Sequence, residues 1–157
     1  MPVFAEAYVL KRLKKLYDYA FKKNPYPGAP AYQLHEITPG DLHVEGMDFI
    51  AIRLQHGNLP ILGYRIKNFA YLTDVNFIPD ESLQQLQNLD VLIIDALHHK
   101  THHSHFNIHE ALEAIRILKP EKAYLTHISH NMGIHEEVEK ELPENVFLAY
   151  DGLKFTF

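Results

Sequence analysis

The sequence predicts an α/β domain in which helices cover a sheet. Three observations lead to this prediction. Short apolar runs typical of strands fill the middle of the chain, and helical periodicity occurs before and after them. The last third alternates strand and helix patterns, which is typical of layered α/β folds.

The residue pattern in the first part of the chain indicates one helix, followed by a segment that ends it. Over residues 5–21, apolar side chains recur at helical spacing with basic residues between them, which indicates an amphipathic surface helix. Residues 24–30 contain three prolines and one glycine, so they break the helix and form the one plausible internal linker. The length of 157 residues nevertheless favours a single domain over residues 1–157.

The middle of the chain predicts a meander of strands. Residues of β type run over 32–37, 47–55, 61–66 and 69–73, with turn-forming residues between these runs. After them, Pro79 and Asp80 mark the start of a helix, with Asp80 as its cap.

The last third predicts a buried strand at 91–94, because four apolar residues follow one another there. Asn107 is placed to cap a helix over 108–118, and a strand follows at 122–126. The remaining elements expected are a helix over 134–142 that ends at Pro143 and closing strands at 146–150 and 153–157.

Composition and charge exclude several classes of protein. Apolar residues make up 46% and charged residues 22%, as in ordinary globular domains. A net charge of −5 gives no basic footprint for extended nucleic acid, and no apolar run approaches the roughly 20 residues that cross a bilayer. With no cysteine and no pattern of a signal peptide, a cytoplasmic protein that binds neither nucleic acid nor membrane is expected.

Polar residues stand directly after three apolar runs. Asp74, Asp95 and His127 occupy these positions, where α/β folds place their ligand sites. Carboxylates and imidazoles at strand ends are suitable ligands for a divalent metal, which needs rigidly held donors. The alternative is that Asp74 and Asp95 cap the turns that follow the strands.

Most of the 12 histidines lie between positions 98 and 130. The run from His98 to His105 is predicted to form a loop between a strand and a helix. Its imidazoles could bind metal adventitiously, titrate near neutral pH, or provide one general acid while the others are solvated. Crowding should lower the pKa of these imidazoles, which weakens a general acid unless an anion lies beside it.

His127 and His130 follow the strand at 122–126 and are three residues apart. This spacing so close to a strand differs from that of a helical pair of metal ligands, so the two rings should point in different directions. We expect them to have different roles.

Several blocks resemble one family of hydrolases. Residues 125–130, 132–137, 142–146 and 149–152, together with 56–65 and 71–74 upstream, are similar to metallo-β-lactamase-fold hydrolases of the PhnP type. These are phosphodiesterases that open five-membered cyclic phosphates of ribose. The resemblance implies the C-terminal half of an αββα sandwich, with a mixed sheet and covering helices.

The resemblance also implies a role for individual residues. His56 corresponds to a histidine ligand of one metal, Asp74 to the carboxylate that bridges two metals, and His127 to the ligand of the other metal. His105, 22 positions before His127, resembles the histidine that protonates the leaving oxygen. His130 resembles a ligand of a separate structural zinc. The implied cofactors are two divalent cations, zinc or manganese, and the implied substrate is a small cyclic phosphate ester.

The sequence departs from the family in one large respect. It has no His-x-His-x-Asp-His motif and no cysteine cluster, which the family carries in its N-terminal half. Residues 1–4 resemble an internal segment in which a short strand enters a helix. We therefore expect a partial domain with weak or absent activity unless a partner provides the other half.

Two other functions remain open. One is a nuclease that processes tRNA 3′ ends, which would require a basic surface or an extruded arm. The other is a non-catalytic half-domain that associates with a second copy to cover an exposed apolar face, so a dimer or larger oligomer is expected.

Overall fold

The computed structural model describes residues 1–24 and 26–156, which divide into two compact units, Met1–Pro39 and Gly40–Phe157. The proline-rich segment 24–30 therefore lies within the first unit, and its Pro25 is outside the described residues. The unit boundary falls instead at Pro39 and Gly40.

The first unit contains a small parallel sheet and one helix. Its elements are β1 (Pro2–Ala5), α1 (Ala7–Leu16), a 3₁₀ turn (Asp18–Phe21) and β2 (Gln33–Glu36). The two strands are parallel, with Pro2 opposite Gln33. The helix ends earlier than predicted because Tyr17 leaves helical backbone, with φ −114° and ψ 41°, and the chain continues as a 3₁₀ turn.

The second unit contains a mixed sheet of seven strands in the order β3-β4-β5-β6-β7-β8-β9. The strands are β3 (Gly40–Val44), β4 (Met47–His56), β5 (Leu59–Ile66), β6 (Phe69–Leu72), β7 (Val91–Asp95), β8 (Lys122–Thr126) and β9 (Val146–Leu148). The helices are α2 (Asp80–Gln85), α3 (Ile108–Leu118) and α4 (His135–Val138), which leads into a 3₁₀ turn (Glu139–Glu141). The predicted α/β class with a mixed sheet is confirmed.

Strand direction brings four strand ends to one edge of this sheet. Pairing is antiparallel from β3 to β6 and parallel from β6 to β9. Because two antiparallel steps restore direction, β4 runs the same way as β6. The carboxyl ends of β4, β6, β7 and β8 therefore meet at one edge, which we call the carboxyl edge.

The core of the second unit holds the strands of this edge in place. Leu72, Leu92, Ile94 and Leu125 are fully buried and belong to one apolar cluster that includes Ala111 and other residues of α3. Burial of one such side chain contributes about 1.5–3 kcal/mol to the stability of the fold. This core therefore holds the strand ends in fixed positions.

Several local predictions differ from the structure. Asp80 is not a cap, because Pro79 occupies the N-cap position and no side chain caps this helix. Residues 153–156 do not form the expected strand; the Leu153 N–H bonds to the Tyr150 carbonyl in a turn, and Phe157 lies outside the described residues. The helix expected over 134–142 divides into α4 and a 3₁₀ turn. Among the residues described, no helix combines the length and apolar character needed to cross a membrane.

The start of α3 provides a test of how the preceding loop is fixed. Asn107 caps this helix as predicted: its side chain accepts the Glu110 N–H at 2.9 Å, and Glu110 accepts the Asn107 N–H at 2.9 Å. We expect Asn107→Ala to lower the free energy of unfolding by about 1–2 kcal/mol. Asn107→Ser, which keeps an acceptor, should lose only a fraction of this in urea denaturation, and equal losses in both variants would contradict the capping role.

Candidate metal centre

The carboxyl edge brings together side chains from four strand ends. His56 ends β4, Asp74 follows β6, Asp95 ends β7 and His127 follows β8. The loop between β7 and α3 adds His105. Parallel pairing explains why residues far apart in sequence converge here.

Asp74 is at the centre of this group. Its Oδ1 lies 3.2 Å from Nε2 of His127 and 3.8 Å from Nδ1 of His105. The His105 ring stands 4.6 Å from the His56 ring and 4.7 Å from the His127 ring, measured between centroids. Ligand atoms of His56, Asp74 and His105 all lie within 4.8 Å of one another.

These residues fit a divalent cation. The buried Nδ1 of His56 has no hydrogen-bond partner among the described residues, although buried polar atoms are normally paired. Imidazole nitrogens beside a carboxylate form a donor set that zinc and manganese accept. An ion would also bring compensating charge to a site where several rings and a carboxylate crowd together.

The backbone at two of these positions is unusual. Asp74 and His127 have φ angles of 59° and 58°, in the left-handed region that few non-glycine residues adopt. Such conformations cost on the order of 1–3 kcal/mol and are maintained by their surroundings, often at functional sites. The two residues whose oxygen and nitrogen lie 3.2 Å apart are thus both held in strained backbone.

Asp95 is a fully buried carboxylate behind the site. Its Oδ1 accepts the Val75 N–H at 3.0 Å, and its Oδ2 lies 3.3 Å from Nδ1 of His105. Burial raises the pKa of Asp95 to about 7, partly opposed by the Val75 N–H and reinforced by the Asp74 carboxylate. The sequence indicated Asp95 as a strand-end residue of a candidate ligand site or, alternatively, as a turn cap; its contacts place it beside His105.

The pKa of His105 is shifted in the opposite direction from that of Asp95. Its side chain is 11% exposed, and burial lowers its pKa to about 4, with further lowering by His127 and His56 and an opposing effect of Asp74. Between about pH 4 and pH 7, the pair therefore carries its proton on Asp95 and His105 is neutral. This agrees with the expectation that crowding lowers the pKa of imidazoles in this region.

Backbone contacts fix the loops around the site. The Asn76 side chain accepts the Gly57 N–H at 2.6 Å and donates to the His103 carbonyl at 3.4 Å. Nε2 of His99 lies 2.7 Å from the Met132 carbonyl, to which it donates. Sequence reasoning did not single out Asn76; its position two residues after Asp74 was the available signal.

The structure thus brings together four of the five residues predicted for the site. His56, Asp74, His105 and His127 converge, whereas His130 is exposed on the turn after β8 and outside this cluster. Its role as a ligand of a structural zinc stays a prediction, and the cysteines that would complete such a site are absent from the sequence.

Comparison with known proteins identifies the family. The model of the beta-lactamase superfamily domain matches residues 1–128. The chain belongs to the beta-lactamase superfamily. A solved diphosphatase of the PhnP family is 36% identical to this superfamily member, with a TM-score of 0.89 over 99% of this chain and 58% of that chain. Both findings confirm the predicted resemblance.

Two further relatives show how much of a longer protein this chain matches. An octanoyltransferase of Porphyromonas gingivalis is 36% identical over 156 residues, which are 98% of this chain and 32% of that protein. The short form of human tRNase Z shares the fold, with 16% identity and a TM-score of 0.67 over 97% of this chain. The chain thus spans about a third of the one relative and under two thirds of the diphosphatase.

The opposite pKa shifts of Asp95 and His105 predict opposite effects of pH on stability in the metal-free chain. Asp95 has a raised pKa, so its contribution is complete below its ordinary value of 3.8 and is lost as pH rises through about 7. His105 has a lowered pKa, so its contribution is complete above 6.5 and is lost as pH falls through about 4. Between these limits the two effects oppose each other.

Single substitutions should therefore separate the two effects. In Asp95→Asn, the free energy of unfolding should rise more steeply from about pH 4 to 6.5 than in the unsubstituted chain. In His105→Gln, the free energy of unfolding should instead fall as pH rises to about 7. Urea denaturation across this range after chelator treatment measures both, with His109→Gln on exposed α3 surface as control. Profiles of both variants parallel to that of the unsubstituted chain would contradict the assignment.

Proposed function

We propose that this chain carries part of the active site of a metal-dependent hydrolase that cleaves small phosphodiesters, including cyclic phosphate esters. The observation that supports the proposal most directly is that ligand atoms of His56, Asp74 and His105 lie within 4.8 Å of one another at the carboxyl edge, with Nε2 of His127 3.2 Å from Oδ1 of Asp74. The similarity to a PhnP-family diphosphatase at 36% identity favours phosphate esters as substrates.

In this proposal His56, Asp74 and His127 hold divalent metal. A bound divalent cation would lower the pKa of water and offset the negative charge of the phosphate. The left-handed backbone at Asp74 and His127 fixes the donors before binding, so little reorganisation is needed. A second ion would need ligands from outside this sequence, since the His-x-His-x-Asp-His motif is absent from it.

Asp95 and His105 deliver the proton to the leaving oxygen. In the neutral pair, the Asp95 O–H donates to Nδ1 of His105, and Nε2 of the ring carries the other proton. Nε2 protonates the departing oxygen while Nδ1 takes the proton of Asp95. The pair ends as a carboxylate and a neutral imidazole. The low pKa of His105 therefore does not prevent it from acting as an acid, because Asp95 holds the reserve proton.

The alternatives have less support. The likeness to human tRNase Z, at 16% identity, concerns the fold, and the net charge of −5 does not favour RNA. The name octanoyltransferase refers to a longer protein, and the region that this chain matches makes up 32% of it.

The proposed function is tested by metal content and turnover. Plasma emission spectroscopy of the purified chain should find bound zinc or manganese, and hydrolysis of bis(p-nitrophenyl) phosphate should be weak, because the sequence lacks the His-x-His-x-Asp-His motif. Asp74→Asn and His127→Ala should each reduce bound metal by tenfold or more, because three ligands define an open site and each is needed. His109→Ala, on exposed surface of α3, provides the matched histidine control.

Two results would count against this function. One is a chain without metal or turnover even when supplied with excess zinc and manganese. The other is equal loss of metal in His109→Ala and His127→Ala, which would indicate adventitious binding by surface imidazoles.

Dependence on the leaving group separates the role of His105 as an acid from a role as a metal ligand. An alkoxide needs protonation to depart and p-nitrophenolate does not, so His105→Gln should slow the hydrolysis of an alkyl phosphodiester by about 10²–10⁴-fold and of bis(p-nitrophenyl) phosphate far less. Asp95→Asn should follow the same pattern. If His105→Gln slows both substrates equally and loses metal, the residue is a ligand.

We also propose that the chain self-associates, as expected from its sequence. Large apolar side chains are exposed on the second unit, among them Leu59, Phe77, Ile117 and Ile134. Light scattering that finds a monomer throughout the micromolar range would contradict this.

A further inference from the structure

Asn76 holds the backbone on both sides of His56. Its N–H donates to the Gln55 carbonyl at 2.9 Å, and its side-chain oxygen accepts the Gly57 N–H at 2.6 Å. Gln55 and Gly57 are the residues directly before and after His56, and Asn76 itself comes two residues after Asp74. One residue beside a proposed metal ligand therefore fixes the backbone of another.

The same side chain reaches the loop that carries His105. The Asn76 amide nitrogen donates to the His103 carbonyl at 3.4 Å, and the Val75 carbonyl accepts the Phe106 N–H at 2.8 Å. The loop is thus bonded two residues before His105 and one residue after it. Because the amide oxygen of Asn76 faces an N–H and the amide nitrogen faces a carbonyl, only one orientation of the side chain makes both bonds.

Gly57 brings the turn after His56 close to this loop. Its φ is 60°, in the left-handed region that glycine adopts at little cost. A Cβ atom at Gly57 would lie 3.5 Å from Cβ of Ser104 and 3.6 Å from the His103 carbonyl oxygen. The two backbone segments therefore approach closely enough for one side chain, Asn76, to bond to both.

The His56 ring needs support from its backbone. Its buried Nδ1 has no hydrogen-bond partner within residues 1–24 and 26–156, so no bond at that nitrogen fixes the ring. A ligand that is not held near its binding geometry has to be ordered when the metal binds, which lowers the affinity. The two bonds from Asn76 provide this order in advance.

We propose that Asn76 is a positioning residue that fixes His56 for metal binding and sets its separation from His105. The centroids of these two rings lie 4.6 Å apart. The inference rests on the proposed function and adds a residue that acts through the backbone of others. The acceptor oxygen of Asn76 serves the metal ligand, and its donor nitrogen serves the loop of the proton donor.

Zinc affinity, measured by competition with a chromophoric chelator, tests the bond to Gly57. Asn76→Ala should weaken zinc binding about tenfold although no ligand is removed, as is common when a residue that orients a ligand is lost. Asn76→Asp should bind zinc at least as tightly as the unsubstituted chain, because a carboxylate oxygen still accepts the Gly57 N–H.

Asn145→Ala is the matched control for zinc affinity. The Asn145 amide donates to the Pro120 carbonyl at 3.2 Å directly before β9, at the end of the sheet opposite the carboxyl edge. Its loss should leave zinc affinity unchanged. An Asn76→Ala chain that binds zinc as the unsubstituted chain does, or an equal loss in Asn145→Ala, would overturn the inference.

The metal-free chain provides a readout that a general loss of stability does not change. Three-bond couplings of His56, measured by NMR, should indicate one χ1 rotamer in the unsubstituted chain and in Asn76→Asp, and averaging in Asn76→Ala. Nuclear Overhauser effects between the rings of His56 and His105 should weaken in both variants, because neither keeps the N–H donor to the His103 carbonyl. Couplings and Overhauser effects that neither variant alters would contradict the positioning role.

The outcomes separate this inference from the proposed function. If the chain binds zinc and hydrolyses bis(p-nitrophenyl) phosphate but Asn76→Ala changes neither zinc affinity nor the His56 couplings, the positioning role is wrong and the hydrolase stands. If Asn76→Ala averages the couplings but neither zinc binding nor turnover is found, the orientation of His56 by Asn76 is supported and the hydrolase is wrong.

Discussion

The buried carboxylate of Asp95 is the interaction on which the site depends. It is fully inaccessible, and its two oxygens connect the Val75 N–H, directly after Asp74, with Nδ1 of His105. Burial disfavours the charged form of a carboxyl group, and the raised pKa of Asp95 reflects this effect. These two contacts join the end of β6 to the loop that carries His105.

The same edge contains other unfavourable features. Asp74 and His127 adopt left-handed backbone, and His56 has a buried nitrogen without a partner in the described part of the chain. Each of these features lowers the stability of the fold, and all of them occur at the carboxyl edge. A cation at this place would satisfy the nitrogen and relieve the crowding of the rings, so binding and stability are coupled here.

Much of this arrangement could be predicted from the sequence because it depends on local patterns. Strand-end positions identified Asp74 and His127, and the family resemblance added His56 and His105. The contacts of Asn76 could not be predicted, since its partners Gly57 and His103 come from other parts of the chain. The partners of Asp95 could not be predicted either, because the Val75 N–H comes from 20 residues earlier in the chain.

Local pattern also explains the wrong predictions. Residues 153–156 have the apolar alternation of a strand but turn away at Tyr150 rather than pair. Strand β3 was missed because Pro39 and Gly40 have the composition of a turn, although Gly40 begins the strand. In both cases pairing with a neighbouring strand, rather than propensity, decides the structure.

The most direct test of the central claim is X-ray absorption spectroscopy at the zinc edge of the zinc-loaded chain. The account predicts a first shell of nitrogen and oxygen, with the multiple-scattering signal of imidazole reduced in His56→Ala and in His127→Ala but not in His130→Ala. A zinc spectrum without imidazole scattering, or one that none of these substitutions changes, would show that the carboxyl edge is not a metal centre.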